Sequence, residues 1–377
     1  MAQIQFIHAR FSKRAGTKAE LVRHLQGHLL KLRTKRLTDS KTSSVTTDVI
    51  GVAASSHEDH LVRNASRQVQ AELTYYDLSR IERRATRLHN ARSISNGLNH
   101  LGPEDLKQLE RLKNGVRLAQ IQSEHRADEV AADLHADFPW LAAATEVVWH
   151  SMRRSVREGW PGLRLQPMLL DGPPGIGKSV WARRLGEVLD TPSMIIEATN
   201  ENASFGIVGS QRGWSNAAPG RVLGTIFTSQ VGNPIVIVDE VDKAGSATSS
   251  KGRSFDLAAA LLPLLEPATA RHWSCPYYEV GFDMSWIGWV LTSNNFRDLP
   301  TPLLSRCPPI RLSALSLEDL VGFALRESHR RGLSQASSEA IQETLLRLSP
   351  QTERLSLRTV IRMIEHAERL EAEQVRQ

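Results

Sequence analysis

The stretch Gly172-Pro173-Pro174-Gly175-Ile176-Gly177-Lys178-Ser179 has the residue types and spacing of a loop that holds a polyphosphate. Its glycines let successive backbone N–H groups converge on phosphate oxygens, Lys178 can reach the β- and γ-phosphates, and Ser179 offers a hydroxyl to Mg²⁺. A short apolar run precedes the loop and a helical pattern follows it, so the loop is expected to join a strand to a helix N-terminus. The sequence predicts ATP binding by Gly172, Pro173, Pro174, Gly175, Ile176, Gly177, Lys178, Ser179 and Val180.

Two carboxylates, Asp239 and Glu240, follow the apolar run Pro234–Val238. Four consecutive β-branched residues in that run predict a buried central strand, which would place both carboxylates at its carboxyl end. There Asp239 can hold Mg²⁺ together with Ser179, and Glu240 can polarise the water that attacks the γ-phosphate. The sequence therefore predicts a Mg²⁺-dependent ATPase.

A third apolar run, Ile287–Thr292, leads into Ser293, Asn294 and Asn295. An amide at this position can orient the attacking water, or it can simply belong to a turn. Arg306 lies 12 residues after Asn294, on a turn from which it could reach a neighbouring subunit as an arginine finger or remain a surface residue.

These residues need a scaffold, and the chain from about residue 138 alternates strand-like and helical segments. That alternation predicts an α/β fold with a doubly wound parallel sheet and ligand loops at the carboxyl ends of its strands. After about residue 315 the pattern is all-helical, with caps expected at Ser316 and Ser356. The predicted strands are Pro167–Leu170, Ser193–Ile196, Pro234–Val238, Ile287–Thr292 and Ile310–Leu312.

Three domains are predicted from these patterns. Residues 1–135 form a basic, mainly helical N-terminal region with a flexible segment near 41–56, residues 136–314 form the nucleotide-binding domain, and residues 315–377 form a helical lid. In the N-terminal region, helical patterning covers residues 17–36 and about 58–94, and Pro103 opens a helix expected to run to about Asp137.

The N-terminal region also carries an excess of positive charge. Residues 1–100 hold seventeen Lys and Arg against eight Asp and Glu, and the rest of the chain is slightly negative overall. A basic patch is formed by Arg80, Arg83, Arg84 and Arg87. The charge favours an acidic partner, nucleic acid included, or a solvated basic surface with no partner.

The cysteine content and the lengths of the apolar runs bear on the cellular compartment of the protein. Cys275 and Cys307 are the only cysteines, which argues against a disulfide framework and favours a reducing compartment. No apolar run approaches the roughly 18 residues that a membrane span needs. We therefore expect a cytoplasmic protein with no membrane partner.

The order of these motifs resembles that of AAA+ ATPases, and more narrowly that of the ATPase module of Lon-type proteins. The resemblance covers roughly residues 135–375. It implies a P-loop NTPase sheet with a helical lid, in a ring, taken as a hexamer, whose active sites are shared between subunits. The matching segments are Gly172–Ser179 (Walker A), Val236–Glu240 (Walker B) with Val241-Asp242-Lys243, Leu265-Glu266-Pro267, Thr292-Ser293-Asn294, Pro300–Arg306 and Leu357-Arg358.

The same resemblance assigns roles to four further residues. Asn294 is sensor 1, Arg306 is the finger that acts in trans, and Arg358 is sensor 2 in the lid. The segment Gly209–Gly220 matches a loop that grips a translocating polypeptide through an aromatic–aliphatic pair. Trp214 fits the aromatic position, but Ser215 replaces the apolar partner, so stacking on a base or packing in a subunit interface remains open for Trp214. A second pore loop is expected at about Ala244–Ser254.

The leading function predicted from the sequence is ATP-driven remodelling or unfolding of a protein client, with the N-terminal region as adaptor. The alternatives are a nucleic-acid-linked AAA+ switch that uses residues 1–100, and a nucleotide-gated scaffold, against which the Asp239–Glu240 pair argues. In Lon proteases a serine–lysine peptidase domain follows the lid. Because Gln377 comes 19 residues after Arg358, no such domain is expected in this chain.

Overall fold

A computed structural model describes residues 3–9, 18–43, 73–96, 98, 100–199, 203–214, 216–244, 247–248, 254–348 and 355–374. The chain divides into two compact units, one of Met1–His8 with Pro103–Gln377 and the other of Ala9–Gly102. Most of the segment predicted to be flexible, near 41–56, lies outside the described residues. The domain boundaries predicted at 135/136 and 314/315 stay predictions.

The strands of the described chain, in order, are β1 (Gln3–Ile4), β2 (Val116–Arg117), β3 (Met168–Asp171), β4 (Ser193–Glu197), β5 (Ile235–Asp239), β6 (Ala247–Thr248), β7 (Ser254–Phe255), β8 (Trp273–Ser274), β9 (Gly281–Phe282), β10 (Gly288–Ser293) and β11 (Pro309–Arg311). The α-helices are α1 (Lys18–Ser43), α2 (Tyr75–Asn96), α3 (Pro103–Glu110), α4 (Glu124–Asp137), α5 (Ala142–Arg157), α6 (Lys178–Val188), α7 (Ala203–Val208), α8 (Arg221–Ser229), α9 (Leu257–Leu265), α10 (Pro267–Ala270), α11 (Thr301–Arg306), α12 (Leu317–Arg331), α13 (Gln335–Arg347) and α14 (Leu357–Gln374). None of the helices in the described ranges has both the length and the apolar character needed to cross a bilayer.

The first unit is built on a five-stranded parallel sheet in the order β11–β3–β10–β5–β4. Each of the five apolar runs predicted as strands contributes one of these strands, which confirms the α/β fold. β10 is buried along its whole length and β5 up to Asp239, because helices cover both faces of a sheet of this type. The carboxyl ends of β3, β10 and β5 therefore lie side by side, with Ser293 opposite Asp171.

Helix α6 is held against the sheet by a buried aromatic side chain. Trp181 is completely buried, and its Nε1 donates a hydrogen bond of 3.2 Å to Thr145 Oγ1 of α5. Leu185, one turn further along α6, is also fully buried. This packing fixes the direction of the helix axis, and so fixes where the helix N-terminus points.

The C-terminal helices begin as the sequence predicts. Ser316 and Asp319 form a reciprocal capping box at the start of α12, and Ser356 Oγ accepts from the backbone N–H of Thr359 at 3.4 Å at the start of α14. Val360 and Ile364 of α14 are fully buried, within the same apolar core as the sheet. The helical lid is thus packed onto the nucleotide-binding core through one face of α14.

The prediction of one helix from Pro103 to about Asp137 is wrong. The structure has α3, then β2, then α4, because Gly115 turns the chain with a φ of +94°. The turn lets β2 pair antiparallel with β1, which brings residues 3–4 beside residues 116–117. Periodicity alone missed this break, because the polar residues around the glycine also fit a helix surface.

Gly115→Ala is expected to destabilise the first unit by roughly 2 kcal/mol or more. A Cβ at this position would lie 2.2 Å from the carbonyl oxygen of Ile4, and the φ of +94° disfavours any L side chain. The matched control is Gly224→Ala in α8, where a Cβ meets nothing within 4 Å. We expect this control to be neutral or to stabilise by up to about 1 kcal/mol, because alanine favours helix. The free energy of unfolding in urea measures both, and equal effects would contradict the interpretation.

One hairpin, β8–β9, with the tyrosines between its strands, binds the residues of the first unit that flank the second unit in the sequence. On one side, the N–H of His8 donates to the Gly281 carbonyl at 2.8 Å, and the Phe6 carbonyl accepts from Asp283 N at 2.8 Å. On the other side, α3 begins at Pro103, directly after the second unit. The hydroxyls of Tyr277 and Tyr278, between the two strands, donate to Asp105 (3.2 Å) and Gln108 (2.7 Å) of α3.

The second unit contains the helix pair α1 and α2. Two ion pairs join the helices: Arg33 with Asp77 at 2.7 Å and Lys18 with Glu82 at 3.1 Å. Asp77 also accepts hydrogen bonds from the side chain and backbone of Thr74, and together with Arg33 these lower the pKa of Asp77 to about 2. The helix predicted over 17–36 is thus longer than expected, and the first part of the one predicted over 58–94 lies outside the described residues.

Candidate active site

The loop between β3 and α6 leaves backbone N–H groups at the start of α6 without side-chain partners. Gly175 and Gly177 have φ values of +79° and +94°, and no side chain caps the N-terminus of α6. The N–H groups of the first helical turn are therefore available to an anion, and the helix dipole favours negative charge there. A side chain on either glycine would also press on the lid, since a Cβ on Gly175 would lie 2.8 Å from the Ser356 side chain.

Lys178 is buried at the base of this loop, with 7% of its surface exposed. Its Nζ donates to the carbonyl oxygens of Gly172 (2.6 Å) and Pro173 (3.0 Å) and to Asn294 Oδ1 (3.0 Å). Burial lowers the pKa of Lys178, while Asp171 and Asp239 oppose the shift. The structure therefore joins the predicted phosphate-binding amine directly to the predicted sensor amide.

A hydroxyl and a carboxylate meet at the first turn of α6. Ser179 Oγ donates to Asp239 Oδ1 at 2.7 Å, and Thr292 Oγ1 donates to the same oxygen at 2.5 Å. Thr292 also accepts from the N–H of Glu240 at 3.0 Å, so it links the ends of β5 and β10. Hard oxygen ligands of this kind suit Mg²⁺, which keeps several waters and takes further ligands from substrate phosphates. The ranges that the structure describes contain no cluster of three or more His, Cys, Asp or Glu side chains suited to a metal. A Mg²⁺ ion at this site would therefore rely on waters and substrate phosphates in addition to Ser179 and Asp239.

Glu240 has an unusual backbone for a residue with a side chain. Its φ is +54°, a conformation that costs energy for non-glycine residues and is concentrated at functional sites. Its carboxylate forms an ion pair of 2.8 Å with Lys243 on the following 3₁₀ turn, and this hydrogen bond raises the pKa of Lys243. The ion pair engages Oε1 of the Glu240 carboxylate.

Two further carboxylates, Asp242 and Asp171, hold the turn that carries Asn294, and neither was predicted as a site residue. Asp242 Oδ2 accepts from the backbone N–H groups of Asn294 (3.1 Å) and Asn295 (3.2 Å). Asp171 Oδ1 accepts from Ser293 Oγ at 2.5 Å and from the N–H of Phe296 at 2.8 Å. These bonds fix the amide of Asn294 next to Lys178.

A single cavity of about 740 Å³ collects most of the predicted site. A cavity of this size accommodates a small-molecule ligand. Gly172, Pro173, Ile176 and Arg306 do not line it. The predicted residues that line it are Pro174, Gly175, Gly177, Lys178, Ser179, Val180, Asp239, Glu240, Asn294 and Arg358.

Other residues that line the cavity were not predicted from the sequence. Phe138 follows α4, and Arg326 and Arg330 come from α12. Arg326 lies 5.9 Å from the centre of the Trp140 ring, and Arg330 forms an ion pair of 3.3 Å with Asp137. These side chains come from segments far apart in the sequence, and no local spacing brings them together.

Arg306 lies away from the cavity of its own chain. Its guanidinium forms an ion pair of 3.1 Å with Glu266 and donates to the Pro302 carbonyl at 3.1 Å. Neither Glu266 nor Pro302 lines the cavity, so these contacts hold the arginine outside it, at the end of α11.

Trp214 is also outside the cavity, on a loop closed by a bridge between Gly209 and Pro219. Its side chain is 42% exposed and meets the Phe205 ring edge-on at 5.8 Å. Ser215 and much of the loop predicted over Ala244–Ser254 lie outside the described residues. Arg212 anchors the Trp214 loop, because it pairs with Asp105, donates to the Tyr277 carbonyl at 3.1 Å and stacks on the Tyr277 ring.

Comparisons with known proteins agree with this geometry. Residues 168–314 match the family model described as "ATPase family associated with various cellular activities (AAA)". The chain is similar to the peroxisomal Lon protease homolog 2 of Oryza sativa subsp. indica, with 26% identity over 367 residues that cover 89% of this chain and 39% of that protein. It is also similar to the Lon protease of Chlamydia trachomatis serovar D, with 32% identity over 165 residues that cover 44% of this chain and 20% of that protein.

Among solved structures, the fold is similar to a chain in a closed-state cryo-EM reconstruction of Hsp104 with ATPγS and FITC casein. The TM-score is 0.50 at 14% identity, over 64% of this chain and 46% of that chain. The chain spans at most about two fifths of the length of the curated relatives named above. Together with the phosphate loop and the parallel sheet, these similarities identify residues 168–314 as a AAA ATPase domain of the Lon type, with the fold of a P-loop NTPase.

Proposed function

We propose that this chain hydrolyses ATP in a Mg²⁺-dependent reaction and uses the energy, as a ring oligomer, to remodel or unfold a protein client. The observation that carries the proposal is the contact set in one cavity. Lys178 touches Asn294, and Ser179 touches Asp239, each within hydrogen-bond distance. A strained Glu240 lies in the lining of the same cavity.

The loop and the first turn of α6 bind the phosphates in this proposal. Lys178 leaves the carbonyls of Gly172 and Pro173 and donates to the β- and γ-phosphates, which place negative charge in direct contact with the buried amine. Ser179 and Asp239 would hold Mg²⁺, which when bound neutralises charge on the phosphates. The apolar and cationic lining residues Phe138 and Arg326 are suited to the rest of the nucleotide.

Glu240 acts as the general base. Its carboxylate takes a proton from the attacking water as the water oxygen bonds to the γ-phosphorus, and the bond from that phosphorus to the bridging oxygen breaks to leave ADP and inorganic phosphate. Asn294 orients the same water, since Asp242 holds its backbone and Lys178 holds its side chain. The Lys243 ion pair restrains Glu240 until the nucleotide is in place.

The lid responds to the nucleotide through its contact with the phosphate loop. The N–H of Leu357 donates to the Gly175 carbonyl at 3.2 Å, and Arg358 follows immediately in the lining of the cavity. A γ-phosphate would attract the Arg358 guanidinium and draw α14 toward the loop, and its loss would release the helix. In this way hydrolysis would become a movement of the predicted domain 315–377 against the predicted domain 136–314.

The position of Arg306 supports a site shared between subunits. It cannot serve the cavity of its own chain in the geometry described above, but it lies at the surface with a partner, Glu266, that it can leave. We propose that it reaches the γ-phosphate in the neighbouring subunit of a ring, which we take as a hexamer. The cytoplasmic location stays a prediction from the cysteine content.

Trp214→Ala tests the assignment of a protein client. Basal ATP turnover should be unchanged, because Trp214 is outside the cavity. The concentration of casein, used as an unfolded model client, that is needed for half-maximal stimulation of turnover should rise by about tenfold or more, as expected on loss of an aromatic anchor.

The controls for this test are Trp214→Phe, which keeps an aromatic ring, and Leu346→Ala, which removes an exposed apolar side chain from the lid. Both should retain stimulation by casein. Unchanged stimulation in Trp214→Ala would rule out client binding by this side chain and leave the ATPase assignment intact.

A further inference from the structure

Helix α2 carries a stripe of arginines that the ATPase assignment does not use. Arg80, Arg83, Arg84 and Arg87 follow one another at helical spacings of three, one and three residues, so their side chains share one face. All four are exposed, whereas Ile81 and Ala85 on the opposite face are buried. We call these four residues the arginine stripe.

The acidic residues of α2 do not neutralise the arginine stripe. Asp77 is engaged by Arg33 and Thr74, and Glu82 pairs with Lys18 of α1. Within the part of the chain that the structure describes, no carboxylate forms an ion pair with any arginine of the stripe. Arg80 and Arg87 are seven residues apart, about 10 Å along the helix axis, and neighbouring charges of the stripe are closer than the Debye length of about 8 Å at physiological salt, so they repel one another.

Two exposed tyrosines extend this surface toward the start of the helix. Tyr75 and Tyr76 are 89% and 66% exposed, which is far more than an aromatic ring normally shows to water. Tyr76 is one turn before Arg80, and the Arg80 guanidinium lies 5.7 Å from the centre of the Tyr76 ring. Flat rings beside a row of guanidinium groups offer stacking and charge on a single face.

We propose that the arginine stripe, with Tyr75 and Tyr76, binds single-stranded nucleic acid. Guanidinium groups pair with phosphate oxygens in a bidentate manner and stack on planar groups, which a row of lysines would not do. Unpaired bases expose the π-faces that tyrosine rings can cover, whereas bases in a duplex are already stacked. An acidic protein surface would satisfy the charges but would give the two exposed rings no partner of this kind. None of these six residues is in the lining of the cavity described above, and the proposal does not depend on ATP hydrolysis.

Fluorescence anisotropy of a labelled oligothymidylate of about 20 nucleotides, titrated with the full chain, tests the proposal. Four phosphate contacts predict a slope of log affinity against log salt of roughly −3, so affinity should fall about fiftyfold between about 50 and 200 mM KCl. Replacing Arg80, Arg83, Arg84 and Arg87 together by glutamine should remove most of this slope and most of the affinity at low salt.

The matched control removes the same charge elsewhere. Arg126, Arg347, Arg362 and Arg369 are exposed on the first unit, and their joint replacement by glutamine changes the net charge equally. This control should keep the salt slope. ATP turnover and helix content by circular dichroism should be unchanged in both variants, which separates loss of binding from loss of fold.

Tyr75→Ala with Tyr76→Ala distinguishes nucleic acid from a general polyanion. The double variant should bind the oligothymidylate about tenfold more weakly with an unaltered salt slope, since stacking carries no charge. Unlabelled polyglutamate at equal charge should compete poorly. Binding that survives loss of the stripe, or polyglutamate that competes as well as the oligonucleotide, would overturn the proposal.

Discussion

Glu240→Gln is expected to lower ATP turnover by about two to four orders of magnitude, the range that positioned general bases contribute. Glutamine keeps the size of the side chain but cannot accept the proton from the attacking water. ATP binding should be retained, because the phosphates contact the loop and Lys178 rather than Glu240. The measurement is steady-state phosphate release, with the affinity for ATP obtained separately by equilibrium binding.

The control for Glu240→Gln is a second carboxylate in the lining of the same cavity. Glu187 pairs with Arg184 at 3.1 Å. It lies on α6 two turns after Ser179, and it is not part of the segments that carry Asp239 and Asn294. Glu187→Gln should leave the rate constant for hydrolysis nearly unchanged. If the two variants lost turnover equally, the effect would be electrostatic and general, and Glu240 would not be the base.

Arg306→Ala is expected to reduce turnover by about a thousandfold, as loss of an arginine finger does. The variant would lack positive charge at the γ-phosphate of the neighbouring subunit. Because a neighbouring subunit supplies the finger, wild-type turnover per chain should also rise with protein concentration as the ring assembles. Arg297→Ala, which removes an exposed arginine nearby, is the matched control and should remain active. Glu266→Gln separates the two roles of Arg306, because it breaks the ion pair within the chain but leaves the finger in place.

A mixing experiment tests the shared site directly. Arg306→Ala lacks the finger but keeps an intact base, and Glu240→Gln lacks the base but keeps the finger. In a mixed ring, some interfaces combine an intact base with an intact finger, so two inactive proteins should recover part of the wild-type turnover. No recovery despite co-assembly would mean that Arg306 acts within its own chain or has only a structural role.

The phosphate loop and the strands of the core sheet were predictable because each rests on contiguous residues. Gly172–Ser179 contains its own turn, amine and hydroxyl, and runs such as Ile235–Val238 are apolar enough to be read as buried strands without tertiary information. The resemblance of the motif order then added Asn294, Arg306 and Arg358. The roles assigned to individual residues stay proposals until the variants are measured.

Other parts could not be derived from local patterns. The bond from Thr292 to Asp239 and the ion pair from Lys243 to Glu240 depend on the exact register of neighbouring strands and on one left-handed residue. Phe138 and Arg326 line the same cavity although they are far apart in the sequence, and only the folded chain brings both to it. Gly115 broke a helix because of a strand partner more than 100 residues away, which no window of sequence contains.

The β8–β9 hairpin and the tyrosines between its strands join the two parts of the first unit between which residues 9–102 are inserted. Residues 9–102 leave the first unit just after His8 and rejoin it at Pro103, and both attachments are fastened to this hairpin and to the tyrosines between its strands. Arg212, at the root of the Trp214 loop, is bonded to the same tyrosine turn and to Asp105. Within the first unit, therefore, the two points at which residues 9–102 begin and end and the anchor of the exposed Trp214 belong to one hydrogen-bonded assembly.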